Sequence, residues 1–346
     1  MDTDIKSKRI AVLSPVAWRT PPKQYGAWET VASNITEGLV ANGWDVTLFA
    51  TADSITDAAL HAVIKGGYEE HTDLDPKVVE IMHISEVMDR AGDFDLIHNN
   101  YDFMPLVFSR LIDTPMLTTI HGFSSPKILD VYRKYNNDCY YTSISDSDRD
   151  PYLDYVATVY NGIDLSQLTV GEKRGDKLVF LGRIHPDKGT HLAVEVAQKS
   201  GMELLIAGIV QDQEYFSAKV KPHLNDSTIQ YIGPVGPAER DKLFKDACTV
   251  LHLNELPERF GLVMAEAMGA GVPVIAMDNG SCREVVAHEK TGYLVTNADQ
   301  AVNYLDHIHK IDPAECRKHV EKNFSIKTMV KGYEKAYEKI FEQEQQ

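Results

Sequence analysis

Short apolar runs alternate with helix-patterned stretches from residue 9 to residue 145, and the alternation begins again at residue 177. This repeat constrains the fold more than any other feature, because strands alternating with helices build parallel sheets covered on both faces. In the first half, residues 9–14 read as a strand and are followed by a loop containing Gly26. Val31, Ile35 and Leu39 then recur at helical spacing, and Gly43 supplies a stop. Residues 44–50, 95–100, 115–122 and 140–145 read as further strands.

Asn161-Gly162-Ile163 and the polar stretch 166–176 interrupt the pattern with turn formers and charges, which predicts a linker. Strand-like runs then return at 177–183, 203–208, 229–233, 248–253 and 273–276, with helices around Leu192, Val196 and Ala197 and over 258–269. At the end, Ile326, Met329, Val330, Tyr333, Tyr337 and Ile340 form an apolar stripe on one more helix. The expectation is two successive α/β domains, residues 1–164 and 165–325, and a terminal helix over 326–346.

A length of 346 residues suits two domains. A hydrophobic content of 43% with 25% charged residues describes a soluble globular chain. The net charge of -16 opposes nucleic acid and anionic lipid as partners, so any bound anion needs a local basic pocket. The opening residues carry no apolar signal segment, and no uninterrupted apolar run approaches the ~18 residues of a membrane span. Cys139, Cys248, Cys282 and Cys316 lie far apart without a CxxC pair, which reads as reduced structural thiols in a cytoplasmic protein.

Neither GxGxxG nor GxxxxGK[ST] occurs, so the dinucleotide and P-loop phosphate signatures are both absent. Parallel sheets bind ligands beyond the carboxyl ends of their strands, which directs attention to the loops there. The strand over 177–183 delivers Arg183 at that edge, and Lys188 follows just before a helix start near Thr190. Two cations and a helix N-terminus make a local pocket for phosphate oxygens. The run 248–253 leads to a second such edge, where Phe260, Gly261 and Leu262 open a helix, Glu258 precedes it and Glu266 lies inside it. Carboxylates only accept hydrogen bonds, so two of them ask for hydroxyl partners. Phosphates for the cations and hydroxyls for the acids together describe a nucleotide sugar.

The segment ERFGLVMAEA resembles the E-x7-E signature of retaining family 4 glycosyltransferases. The resemblance extends along nearly the whole chain through YGAWE, His121-Gly122, YNGID, LGRIHPDKG, IQYIGPV, ERFGLVMAEAMGAGVPVIA and FSIKTMVKGY. It implies the GT-B fold, two facing Rossmann-like doubly wound domains with a terminal helix crossing back to the first. By this resemblance the first domain takes the acceptor and the second the nucleotide sugar. Arg183 and Lys188 would hold the donor diphosphate, Glu266 the ribose, and Glu258 with the amides of Phe260, Gly261 and Leu262 the transferred sugar. Gly233 and Val235 would border the base, His121 would reach the sugar, and Gly26 would let the first loop approach the diphosphate. The family usually carries two glycines in that loop, whereas this chain reads Gly26-Ala27.

Asp-x-Asp triplets include Asp73/Asp75, Asp93/Asp95 and Asp146/Asp148. They read as structural residues, Asp146 to Asp148 as a helix cap, with no metal site and no cofactor expected. His98 and His121 both sit at strand ends, and His98, Asn100 and Tyr101 are candidate acceptor contacts. The function expected is a retaining hexosyltransferase moving glucose from UDP-glucose or a close relative to an acceptor hydroxyl. The alternatives are a nucleotide-sugar epimerase or hydrolase of the same fold, and a noncatalytic nucleotide-sugar-binding protein. Residues 57–92 lack the pattern of a basic membrane patch, which favours a small-molecule or saccharide acceptor.

Overall fold

The computed structural model describes residues 5–123, 125–225 and 227–345; residues 1–4 and 346, included in the terminal segments expected above, lie outside them. The chain divides into two compact units, Met1–Gly162 with Ile326–Gln346, and Ile163–Ser325.

The first unit holds one parallel sheet of β1 (Arg9–Leu13), β2 (Asp45–Phe49), β3 (Ala59–His61), β4 (Leu96–Asn99), β5 (Met116–Ile120), β6 (Tyr140–Ser143) and β7 (Tyr155–Thr158). Its order is β3-β2-β1-β4-β5-β6-β7. The central strands are buried on both faces apart from Arg9 at the start of β1, as a helix-covered parallel sheet requires, and the polar residues among them, His98, Asn99, Thr118 and Thr119, are buried with the rest. The second unit repeats the scheme with β8 (Lys177–Leu181), β9 (Leu204–Ala207), β10 (Ile229–Gly233), β11 (Ala247–His252), β12 (Val274–Met277) and β13 (Gly292–Val295), ordered β10-β9-β8-β11-β12-β13. In each sheet the chain leaves the first strand towards one edge and returns on its other side. The resulting switch points, β1/β4 and β8/β11, open crevices at the carboxyl ends of the strands.

Most strands fall where the apolar runs predict them. The edge strands β3, β7 and β13 carry no such signal: they have only three or four residues, and β3 and β7 are largely or partly exposed. The expected helix over 258–269 is shorter, Leu262–Gly269, because Glu258 forms a parallel bridge with Gly280 and Gly261 takes a left-handed conformation with φ 81°. No helix follows Asp146; its carboxylate instead accepts from Thr158 of β7. Asp75 caps the helix Pro76–Asp89 through Val78 N–H at 3.2 Å, and Asp95 pairs with Lys8 at 3.1 Å.

The terminal helix, Ile326–Glu344, packs on the first helix, Ala27–Ala41, and buries Met329, Val330, Tyr333, Ala336, Tyr337, Ile340 and Phe341. A chain of polar side chains fixes it to the sheet. Tyr337 Oη lies 2.7 Å from His98 Nδ1, His98 Nε2 lies 2.7 Å from Thr119 Oγ1, and Thr119 Oγ1 lies 3.0 Å from Tyr333 Oη. His98 is fully buried with both ring nitrogens engaged, and burial pushes it down to about 3, so it stays neutral. The expectation that His98 meets an acceptor is therefore corrected: it is an internal connector to the terminal helix.

Tyr337→Phe leaves one nitrogen of a buried histidine without its partner and should cost about 1–3 kcal/mol. Trp18, Trp28 and Trp44 all lie in the first unit, so tryptophan emission during urea unfolding reads this unit alone. An unchanged midpoint would remove the connector role.

Candidate functional site

β8 ends at Leu181, and Gly182 and Arg183 follow at the edge of the switch point. Arg183 is partly exposed and pairs with Asp187 Oδ2 at 3.3 Å, with Gln211 as a second partner. Asp187 also takes His185 Nδ1 at 2.5 Å. A single short turn, Pro186–Lys188, then leads into the helix Thr190–Ser200, which places Lys188 directly before a helix N-terminus.

The neighbouring strand, β11, ends in His252, and the loop after it brings Glu258 back against this edge. Glu255 N–H donates to the Asp187 carbonyl at 2.9 Å, joining the two loops. Glu258 is 8% exposed, and three donors converge on its Oε2: Lys188 Nζ at 2.8 Å, His252 Nε2 at 2.9 Å and Asn254 Nδ2. Its Oε1 accepts Arg259 N–H at 3.0 Å. Burial alone would raise this carboxyl. The His252 hydrogen bond and the Lys188 charge outweigh it and hold the group well below the ordinary carboxyl value, so Glu258 is an anion. Gly280 locks the backbone beneath it. At φ 62° a Cβ on Gly280 would lie 2.3 Å from the Glu258 carbonyl oxygen, and Ser281 N–H donates to that oxygen at 2.9 Å.

Glu266, on the second turn of Leu262–Gly269, is also 8% exposed and accepts from Arg240 Nη1 at 2.6 Å. Burial raises its pKa despite the arginine. Gly233 closes β10 and Val235 follows it, half-buried, ahead of the helix Pro237–Asp246 that carries Arg240. The Phe260 ring is spent in the core against Phe324, 5.6 Å between centroids, which leaves its backbone for any ligand. Gly261 is the N-cap and Leu262 the first residue of the short helix, where N–H groups have no helical acceptor. Arg183, Lys188, Glu258, Glu266 and the Phe260–Leu262 backbone thus all belong to one sheet edge and its flanking helices.

His252, Asn254 and Arg240 have no place in the expectation drawn from the sequence. The available signal was the cost of burying two carboxylates, which demands donors nearby. It does not say which ones, since Arg240 lies 26 residues from its partner in the chain.

In the first unit, Gly26 caps the helix Ala27–Ala41 with φ 144°, where a Cβ would meet Pro22 and the Glu29 carboxyl at 2.9–3.0 Å. Ala27 points outward, so its methyl does not crowd this turn. His121 stacks on Trp28 at 5.6 Å, and its Nε2 lies 3.0 Å from Asn100 Oδ1. The amide oxygen only accepts, so Nε2 carries the proton and Nδ1 is the ring's acceptor. Burial pushes His121 down to about 3, leaving it neutral. Asn100 is fully buried and orients His121, and Tyr101 is 5% exposed within the core, so both support this edge from beneath; the expected direct acceptor contacts are corrected to that role.

Among the described residues no group of three His, Cys, Asp or Glu side chains is placed to hold a metal ion, and no helix is long and apolar enough to cross a membrane. The four cysteines are free and buried, and burial raises each thiol to about 11 or 12.

Comparison with known proteins agrees with this architecture. Residues 28–167 match the family described as Glycosyltransferase Family 4, and residues 169–324 match Glycosyl transferases group 1. Glycogen synthase of Mycobacterium tuberculosis is 23% identical over 343 residues, spanning 83% of this chain and 82% of that protein. Sucrose-phosphate synthase from Thermosynechococcus elongatus superposes with a TM-score of 0.78 at 18% identity, covering 97% of this chain and 100% of that one. Anabaena Alr3699/HepE, solved in complex with UDP and glucose, gives 0.73 at 18% identity over 96% and 100%. The chain belongs to the family 4 glycosyltransferases and has the GT-B fold. It is an enzyme that transfers a sugar from a nucleotide-sugar donor.

A carboxyl held below its unfolded value of 4.5 contributes stability that is complete above about pH 4.5 and drains away as the pH falls. Glu258→Gln should therefore be less stable than the parent at pH 7, with a smaller loss between pH 5 and 3. Scanning calorimetry across that range checks it; parallel curves for the two proteins would contradict the ionised state.

Proposed function

We propose that this enzyme is a retaining hexosyltransferase whose donor is UDP-glucose or a close relative, bound by the second unit. The observation carrying this reading is the pairing, at the β8/β11 switch point, of two cations with a buried anionic Glu258 and a buried Glu266. Arg183 and Lys188, held in place by Asp187 and Glu258, turn their remaining N–H donors to the diphosphate oxygens. The charge developing on the leaving diphosphate then falls on a guanidinium and an ammonium already in place. The acceptor hydroxyl attacks on the face that the leaving group vacates and gives its proton to the departing phosphate oxygen.

Glu266 keeps Oε2 for the ribose hydroxyls while Arg240 holds Oε1. Glu258 has its Oε2 crowded by three donors, so it meets the sugar through Oε1 and otherwise holds Lys188 on station. The amides of Phe260, Gly261 and Leu262 serve the same sugar, and Gly233 and Val235 border the base. In the first unit His121 offers Nδ1 to a sugar hydroxyl, and the loop at Gly26 serves the diphosphate or the acceptor. UDP and glucose in the related Anabaena protein support the choice of donor. Four buried free thiols suit a cytoplasmic setting, and the charge of -16 disfavours a nucleic-acid acceptor, leaving a small molecule or saccharide.

Thermal shift against UDP-, GDP-, ADP- and dTDP-sugars should single out the UDP-sugar, since only a donor bound to the folded state raises the melting temperature. A larger shift with another base would replace UDP. Arg183→Ala should lower turnover by about 10² or more; near-parental turnover would sink its role. Proton NMR of the product should show the donor's anomeric configuration retained, whereas turnover of donor alone would indicate an epimerase or hydrolase.

A further inference from the structure

Arg19 differs from every other arginine in the chain. Of the twelve arginines it alone, among the described residues, makes no hydrogen bond or ion pair. The side chain is half-buried, and its Nε is sealed from solvent without an acceptor. Only Nε is both buried and unmatched, so the two Nη groups remain reachable, and an anion held on them would offset the cost of the unmatched Nε through the delocalised charge they share.

The main chain presenting Arg19 is pinned on both sides. Trp18 N–H donates to Glu29 Oε1 at 3.3 Å, Thr20 N–H to Ser54 Oγ at 2.9 Å, and the Thr20 carbonyl accepts Ile55 N–H at 2.9 Å. This loop leaves the carboxyl end of β1, beside the switch point where a parallel sheet takes its ligands. The acids of the surrounding turns are turned to other work: Asp53 accepts from Thr51 at 2.7 Å and Glu70 pairs with Lys23 at 2.9 Å. Neither they nor Glu29 and Glu69 come within ion-pair distance of the guanidinium. Burial also raises the Glu29 carboxyl to about 7, which lessens its repulsion of an incoming anion. In a chain of net charge -16, an arginine left without an acid is a position kept open for an external one.

We propose that Arg19 is the anion-recognition residue of the acceptor site, and that the acceptor carries a phosphate or carboxylate group. A guanidinium fork grips either group through two parallel hydrogen bonds, which selects an anionic acceptor over its neutral counterpart. This inference rests on the reading that the first unit serves the acceptor, and it is tested separately from the choice of donor.

Tryptophan emission of the full chain gives a direct readout, because Trp18 adjoins Arg19 and all three tryptophans lie in the first unit. The probes are inorganic phosphate, glucose 6-phosphate and glucuronate, with glucose as neutral control, at constant ionic strength and without donor. Saturable responses to the anions but not to glucose are expected. Arg19→Gln should weaken them roughly tenfold or more and Arg19→Lys less, in line with the loss of a charge-assisted pair. Far-ultraviolet circular dichroism and the urea midpoint confirm that both variants are folded. Absence of response to every anion, equal binding by Arg19→Gln, or equal binding of glucose overturns the proposal. A parallel titration with UDP distinguishes the source of the anion: weaker UDP binding by Arg19→Gln with unchanged glucose 6-phosphate binding assigns the guanidinium to the donor and also overturns it. Failure of the UDP-sugar thermal shift would strike the donor assignment and leave these anion titrations intact.

Discussion

A carboxylate kept ionised under burial is the interaction on which the second unit's chemistry depends. Glu258 tolerates its position only because Lys188, His252 and Asn254 all point at one oxygen and a backbone amide takes the other. Those donors come from the ends of two adjacent strands, β8 and β11, so the switch of strand order brings the charges together. The bridge to Gly280 then fixes the backbone from a third strand's loop. Loss of any one of these elements leaves a buried charge incompletely matched.

The first unit solves the same problem by a different route. Its sheet buries His83, His98 and His121, all pushed down by burial and all neutral, and links them to hydroxyls, an amide and a carbonyl. Uncharged hydrogen bonds are cheaper to bury than ions, so this polar interior spans the sheet and reaches the terminal helix without a counter-charge. One unit therefore concentrates matched ionic charge at the β8/β11 edge, and the other sets the open charge of Arg19 beside a neutral, hydrogen-bonded interior.

Much of this was legible in residue order. Paired alternations gave two parallel sheets, the stripe through Tyr333 and Tyr337 gave the terminal helix, and Glu258, Glu266, Arg183 and Lys188 could be picked out by type and spacing. The edge strands β3 and β7 escaped because a strand exposed along one edge needs no continuous apolar run, the signal by which the four-residue central strands are read. His98 was misjudged for a specific reason: a histidine at a strand end looks the same whether a ligand or a returning helix covers it, and Tyr337 lies 239 residues away. Asn100 and Tyr101 share that ambiguity, since the pattern of a strand end says nothing about what packs beneath it.

Local periodicity is a property of neighbouring residues, and so the sequence by itself determined the elements, the two-fold repetition of the α/β pattern and the residue types able to bind phosphate and hydroxyl. Tertiary structure decided the partners. Only folding brings Arg240 to Glu266, His252 and Asn254 to Glu258, and Tyr337 to His98, and only folding leaves Arg19 without a carboxylate. Hydrogen bonds and ion pairs act over about 3–4 Å in space regardless of distance along the chain. Which charge is matched and which stays open is therefore settled by the fold.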